Sequence, residues 1–465
     1  MTNPVPRPLS ILLALSHTFH GRTFLASGAA GMLLDRGHRL TVVAPQGFVP
    51  RIRSELAGSG LLDGVEPIEP YLGGRVRDRL RAVSRTASYV QRSALSTYRH
   101  KLVVRTVSKR AALETRALGA LGRVLDLEAL ARAVESRIPV KAAALALIRR
   151  VKPDLVVTPT FIHDTQDIEI AKAARRLGVP VAAFPASWDT LTSKGFFLVP
   201  PDALMVWGED SLRHAVQYHG YSPDRVFVTG PPHFDIYAPT ASAESREGFL
   251  SRRGISPDKR VVLFAGTTVT YWADEPLQLR ALSRLVERGE LGDCVIWYRP
   301  HPRRSYRDVT DLLGLPGVHV DDQILRQKAE GRSSYSIERE DLAHYRGLLD
   351  ACDGVVTAFS TMIIEAALMG KPSLVVAFGL GDETPERLLQ HSEYEHMRDV
   401  ISTPGITLCR TLEEMQRGIQ RMIRGEYAAF SEVLRKRAGE IAHCLDGKAR
   451  ERIVQVIERI GRGRV

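Results

Sequence analysis

The sequence predicts an α/β protein built on two doubly wound parallel sheets, and three observations predict it. Short apolar runs alternate with helical stretches along both halves, a polar stretch from Ala238 to Arg246 separates the halves, and 465 residues exceed what one ordinary core organises. With 44% hydrophobic and 25% charged residues, each half can bury a core of its own.

The elements follow in chain order. Leu9 to Leu15 is an apolar run, followed by a polar loop from Ser16 to Thr23, a helical stretch through Leu34, a stop at Gly37 and a second strand from Leu40 to Ala44. The opening apolar stretch is short and no small-residue cleavage site follows it, so it reads as a buried strand and not as a leader. After a basic helical insertion of about 75–150 the alternation resumes: strands at Leu155–Thr158, Val181–Phe184, Ala203–Trp207 and Val226–Thr229, helices at Asp167–Leu177 and Ser211–Tyr218. The second half repeats the scheme. Strands are expected at Val261–Ala265, Val295–Tyr298, Gly354–Thr357 and Ser373–Phe378, with helices at Leu277–Arg288, Asp341–Ala351 and Thr361–Met369. The domains are therefore placed at 1–237 and 238–445, with a helix in 446–465 crossing back to the first.

Charge is concentrated. The chain carries a net +11, and Arg75 to Arg110 holds eleven Lys/Arg against one acid, Asp78. Within it Leu80, Val83, Ala87, Val90, Ala94, Tyr98 and Leu102 recur every three or four residues, one apolar face of a helix with arginines on the remainder. Such a helix suits an anionic membrane surface, and the same stripe suits packing on its own domain; the two readings are compatible. Nucleic acid is not expected as a partner, because Tyr89 and Tyr98 are the main aromatic residues in the stretch. No run of about 18 apolar residues spans a bilayer. Cys294, Cys352, Cys409 and Cys444 lie far apart without ligand-pair spacing, so neither a disulfide framework nor a metal site is indicated, and the cytoplasm is the expected compartment, with peripheral contact to the inner face of the cell membrane.

Ligands of open parallel sheets sit beyond the carboxyl ends of the strands. Three such places in the second half carry chemistry. Gly266-Thr267-Thr268 offers backbone amides and hydroxyls to a phosphate. Arg299-Pro300-His301-Pro302 sets a guanidinium and an imidazole on a loop stiffened by two prolines; Arg grips phosphate through a planar fork, and His donates to a phosphate oxygen or to a leaving group. Ser360 and Thr361 stand at the mouth of a helix whose Glu365, one turn in, either accepts ribose hydroxyls or caps the helix amides.

Cys352 to Pro372, with Arg299 to Pro302 upstream, resembles the donor half of GT-B enzymes, particularly the bacterial glycerophosphotransferase and Kdo-transferase groups with an HP motif. Ser187-Trp188-Asp189-Thr190-Leu191-Thr192-Ser193-Lys194-Gly195 and Val228-Thr229-Gly230-Pro231-Pro232-His233-Phe234-Asp235 look like segments of surface-polysaccharide glycosyltransferases, and His17 to Ala44 is similar to the first βαβ of many GT-B transferases. The resemblance implies two Rossmann-like domains facing across a cleft, with the nucleotide of a nucleotide-sugar donor against Gly266, Thr267, Arg299, His301, Ser360, Thr361 and Glu365. It implies a glycan or lipid-linked acceptor on the first half, with His17 or His20 as base and Asp164 or Asp189 as competitors. With no Asp-x-Asp at a strand end, catalysis is expected to need neither metal nor cofactor. The implied activity is metal-independent glycosyl transfer; the alternatives are transfer of a polyol phosphate from a CDP-linked donor, a sugar-nucleotide 2-epimerase, and a non-catalytic nucleotide-sugar-binding protein.

Overall fold

The structure is a computed structural model that describes residues 7–463, apart from 17–18, 45–46, 48, 51, 54–64, 69–73, 106, 160–161, 163, 240–243, 270–271, 331–338, 383 and 444. It falls into two units. One runs to Asp235 and takes in the chain from Lys448 onward; the other runs from Ile236 to Gly447.

The first unit is a seven-stranded parallel sheet: β1 (Ser10–Ala14), β2 (Arg39–Val43), β3 (Val65–Ile68), β4 (Leu155–Thr158), β5 (Val181–Ala183), β6 (Ala203–Val206) and β7 (Val226–Val228), in the order β3-β2-β1-β4-β5-β6-β7. The fully buried strands β4, β5 and β6 carry no solvent face, which is why they read as continuous apolar runs. The helix α1 (Ala29–Asp35) follows β1, and the C-terminal helix Ala449–Gly461 packs on α1. Asp235 accepts from the amides of Ala449 and Arg450, both at 2.9 Å, so a residue of the His233-Phe234-Asp235 motif serves as the cap of the C-terminal helix.

Between β3 and β4 lie five helices: α2 (Arg75–Gln91), α3 (Ser96–Arg105), α4 (Lys109–Leu121), α5 (Leu127–Arg137) and α6 (Ala142–Val151). The single apolar face expected across residues 80–102 is corrected, because the chain bends at 92–95 and divides that stripe between α2 and α3. No Gly or Pro marks the bend. Tertiary contacts hold it: Tyr89 and Tyr98 stack with ring centroids 5.5 Å apart, and Arg92 donates through Nη2 to Glu128 at 3.0 Å. Both tyrosines are buried and offer no face to a nucleobase.

Two of the five arginines of α2, Arg77 and Arg81, are committed inward, while Arg75, Arg79 and Arg85 stay exposed. Arg81 Nη2 lies 2.7 Å from both Glu135 of α5 and Glu169 of α7 (Thr165–Arg176), Arg77 pairs with Glu169 at 2.7 Å, and Lys172 pairs with Glu135 at 2.7 Å. Two buried carboxylates and three cations thus bind the insertion to the helix that follows β4. Burial pushes the Glu169 carboxyl up, but Arg81 and Arg77 outweigh it and hold the group below its usual range.

The second unit is a six-stranded parallel sheet, β8 (Arg260–Ala265), β9 (Cys294–Arg299), β10 (Val318–Val320), β11 (Gly354–Thr357), β12 (Ser373–Val376) and β13 (Ile406–Cys409), in the order β10-β9-β8-β11-β12-β13. The strands that the apolar pattern does not announce, β3, β10 and β13, are all edge strands. An edge strand is short and partnered on one side only, which tolerates the Pro67 of β3 and the His319 of β10.

Replacing Arg81 with Met leaves Glu135 and Glu169 buried with less compensation, and we expect chemical denaturation to show a loss of about 3–5 kcal/mol. Because the folded Glu169 is held below its unfolded value of about 4.3, its share of stability is present above that pH and is lost as pH falls through the folded value. The acid limb of a stability–pH profile is therefore expected to be shallower in Glu169→Gln than in the parent.

Candidate functional site

In each sheet the chain starts on an inner strand, runs toward one edge and then crosses to the other side. Those reversals fall between β1 and β4 and between β8 and β11. Loops leaving the two strands at such a point part from each other and open a crevice.

In the second unit the loops after β9, β8 and β11 are neighbours because their strands are. Arg304 and Glu275 tie two of them together. Helix α8 (Glu209–His219) lies in the first unit and α9 (Glu275–Glu287) in the second; Arg304 donates to the carbonyls of Thr267 (3.1 Å) and Trp272 (2.6 Å) and lies 2.8 Å from Glu275, the first residue of α9. Glu275 accepts from the amide of Thr267 at 2.7 Å and from the Tyr298 hydroxyl at 2.6 Å. Burial pushes this carboxyl above its ordinary range although Arg304 opposes it. The expectation that Gly266 and Thr267 offer free amides is corrected: the Gly266 amide donates to the Arg299 carbonyl at 2.9 Å, and that of Thr267 is held by Glu275. What the loop keeps is side chains. Thr267 Oγ1 and Trp272 Nε1 are buried donors with no hydrogen-bond partner among the described residues. Such groups are costly unless something polar meets them.

Arg299 is corrected in the same way. Its guanidinium is buried, 2.9 Å from Asp321 and 2.6 Å from Gln323, and its carbon lies 3.9 Å from the centre of the Tyr345 ring. Asp321 also accepts from Trp297 Nε1 at 3.1 Å and lies 2.9 Å from His344 Nε2. Burial pushes Asp321 up, yet Arg299 and His344 hold it far below the usual carboxylate range. The fork that sequence reasoning assigned to phosphate is thus occupied by Asp321, just past the end of β10, a partner invisible in sequence because it lies 22 positions from Arg299.

His301 lies in the loop that follows β9. It is half-buried, and Nδ1 accepts from the Arg303 amide at 3.1 Å. With Nδ1 accepting, a neutral ring carries its hydrogen on Nε2, the form that donates to a phosphate oxygen. Beyond β11, Ser360 Oγ lies 3.0 Å from Thr357 Oγ1, which donates to the Ala265 carbonyl of β8 at 2.9 Å. Helix α10 (Arg339–Ala351) precedes β11 and helix α11 (Met362–Leu368) follows it; the Thr361 side chain makes no capping bond to α11. Glu365, on α11, is only 5% exposed and accepts the hydroxyl hydrogen of Tyr237. A concavity of about 700 Å³ also lies in this unit, at the other end of α11, lined by Leu368, Met369, Lys371 and Arg435. It is remote along α11 from Ser360 and Thr361 and does not coincide with the loops above.

Three potential metal-ligand atoms, from Asp321, Asp322 and His344, lie within 4.8 Å of one another. Their charge is already met: Arg299 pairs with Asp321 and Arg253 with Asp322.

In the first unit His20 is fully buried, with Nδ1 3.4 Å from Ser16 Oγ, and Ser16 Oγ lies 3.4 Å from Asp167 Oδ2. Ser16 and His20 follow β1 while Asp167 opens α7 after β4, so the three meet at the reversal of the sheet. Sequence reasoning missed Asp167, although its place after a strand was the available signal. His17 lies outside the described residues. Asp164 is the cap of α7, accepting from the amides of Gln166 (2.9 Å) and Asp167 (3.4 Å). Asp189 accepts from Ser193 Oγ at 2.6 Å and braces its own loop.

Residues 202–459 match the family model of CDP-Glycerol:Poly(glycerophosphate) glycerophosphotransferase. No curated protein matches the chain. Among solved structures, S. aureus MnaA in a co-structure with UDP is 13% identical with a TM-score of 0.54, covering 98% of this chain and 97% of its own. A glycosyltransferase from Rickettsia africae ESF-5 is 11% identical with a TM-score of 0.52, covering 99% and 100%. The calicheamicin glycosyltransferase CalG4 is 14% identical with a TM-score of 0.53, covering 99% of each chain. These likenesses show a shared fold, GT-B.

A Cβ at Gly266 would stand 2.5 Å from Glu275 Oε1. Gly266→Ala is therefore expected to displace Glu275 from Thr267 and Arg304 and to cost about 1–3 kcal/mol, read as a lowered midpoint of denaturation.

Proposed function

The chain belongs to the CDP-glycerol:poly(glycerophosphate) glycerophosphotransferase family, and from that premise we propose that this transferase moves a polyol phosphate from a CDP-linked donor to a hydroxyl of a glycan or lipid-linked acceptor. The observation that carries the reading is the pair of unmet buried donors, Thr267 Oγ1 and Trp272 Nε1, in a loop beside His301 at the reversal of the second sheet. A diphosphate supplies the acceptor oxygens that such donors lack.

In the proposed reaction the acceptor oxygen bonds to the phosphorus that bears the polyol. The bond from that phosphorus to the oxygen of CMP breaks, CMP leaves, and the acceptor proton passes to a base. His301, donating through Nε2, meets the charge that develops on the departing phosphate, with the Ser360 and Thr361 hydroxyls at the next loop. Arg299 acts as a positioning residue, fixing the end of β9 through Asp321. Glu365 does the same for α11 through Tyr237. On the acceptor side His20, with Ser16 and Asp167, is the proposed route for the proton. The reaction is proposed to proceed without metal, at a membrane surface where a lipid-linked acceptor is reached; no helix among the described residues is long and apolar enough to cross a membrane. The second reading, sugar transfer from a nucleotide sugar, is supported by the fold shared with the Rickettsia africae and calicheamicin glycosyltransferases.

Thermal stabilisation by CMP, CDP, UDP, GDP and dTDP tests the donor. A shift with CDP or CMP that is lost in His301→Ala is the expected result, since a ligand bound only to the folded state raises its melting temperature with occupancy. A shift confined to UDP, GDP or dTDP supports the second reading, and no shift with any of them counts against both. Turnover is expected to survive a chelator. His20→Ala is expected to lower kcat by about 10²–10⁴-fold with little change in donor affinity.

A further inference from the structure

Among the described residues, eleven of the eighteen exposed large hydrophobic side chains lie between Val76 and Val134, in the helical insertion. Helix α4 is the centre of this surface. It spans 13 residues, Lys109–Leu121, and buries none of them. Its inner side, with Ala112, Thr115 and Leu118, is half-buried and packs on α2. Its outer side carries Leu113, Ala117, Ala120 and Leu121, all exposed, and the stripe continues past the helix end into Val124 and Leu125. From Leu113 to Leu121 this spacing keeps one face of the helix apolar for about 12 Å.

Cations border that face. Lys109, Arg110, Arg116 and Arg123 are all exposed, and Arg99 to Arg123 contains seven Lys/Arg and one acid. The acid, Glu114, is half-buried and paired with Arg79 at 2.6 Å and Arg105 at 3.3 Å, so it adds no negative charge to the outer face. A nucleic acid would meet the cations and leave the Leu and Val side chains without a counterpart. An anionic bilayer meets both: apolar side chains enter the acyl boundary, and Lys and Arg reach the phosphates around them.

We propose that α4 and the turn after it lie flat in the interface of an anionic membrane, with Leu113, Leu121, Val124 and Leu125 inserted and Lys109, Arg110, Arg116 and Arg123 at the headgroups. The inference rests on the membrane reading above and moves its contact surface. The sequence pointed to Arg75–Arg110, but Arg77, Arg81 and Arg92 of that stretch are consumed by Glu169, Glu135 and Glu128. Lys109 and Arg110 of that stretch stay exposed and belong to α4, beside its apolar outer side.

The test is co-sedimentation of the full chain with phosphatidylcholine vesicles, with and without phosphatidylglycerol. Two variants are compared with the parent, Leu113→Ser/Leu121→Ser/Val124→Ser and Lys109→Glu/Arg116→Glu. The parent is expected to bind the anionic vesicles only, less at high salt, and each variant at least about tenfold more weakly. All substituted positions are exposed or outside the core, so unchanged circular dichroism and an unchanged nucleotide-induced melting shift certify fold and donor site. Parent-like binding by the triple Ser variant overturns the assignment to α4 while leaving the membrane reading standing. A parent that binds neither vesicle overturns both. Binding to a single-stranded RNA as strong as to anionic vesicles, and indifferent to the Ser substitutions, replaces the bilayer with a polyanion and equally overturns the proposal.

Discussion

Charges buried at the carboxyl ends of β8, β9 and β10 decide what the second unit can do. Glu275 and Asp321 have no exposed surface, and a carboxylate taken out of water is tolerated only when hydrogen bonds and counter-charge replace the lost hydration. Glu275 finds them in Thr267, Tyr298 and Arg304, Asp321 in Trp297, His344 and Arg299. Each carboxylate takes its partners from more than one element, so the loops are held at fixed spacing before any ligand arrives. Preorganised donors of this kind do not have to be reoriented when charge develops on a leaving group.

The same arrangement selects which groups are left for chemistry. An arginine that ends a strand beside a buried aspartate satisfies that aspartate first, since an unmet buried charge costs more than a hydrogen bond to solvent-accessible phosphate supplies. In the proposed reaction the burden then falls on His301, Thr267, Ser360 and Thr361, shorter groups on the neighbouring loops. In the first unit the pattern recurs: Glu135 and Glu169 draw Arg77, Arg81 and Lys172 inward, so the insertion is riveted by its α2 side and presents α4 outward. An insertion so anchored can carry an apolar, cationic outer face without that face being needed for its own stability.

The first unit gathers the groups proposed for the acceptor side at the equivalent point of its sheet. Ser16, His20 and Asp167 come from two loops that are 147 or more residues apart in the chain and meet because β1 and β4 are neighbours. Asp164 and Asp189, which share the polar character of Asp167, are spent on a helix cap and on their own loop.

The sequence by itself determined the class of the fold, since the central strands are buried on both faces and an apolar run of four to six residues between helical stretches has few other uses. It also located the loops that matter, because strand ends are readable, and the excess of cations in the insertion, because composition is. The tertiary structure alone decided the edge strands β3, β10 and β13, whose half-covered positions impose little apolar pattern, and the bend at 92–95, which rests on Tyr89, Tyr98 and Glu128 and not on a local breaker. It alone decided that Arg299 serves Asp321, that the Gly266 and Thr267 amides are spent, and that α4 exposes an apolar side. The physical reason is common to all of these: a charged or polar side chain is assigned by whichever partner burial brings within about 3 Å, and partners distant in sequence leave no periodicity or spacing by which to read them.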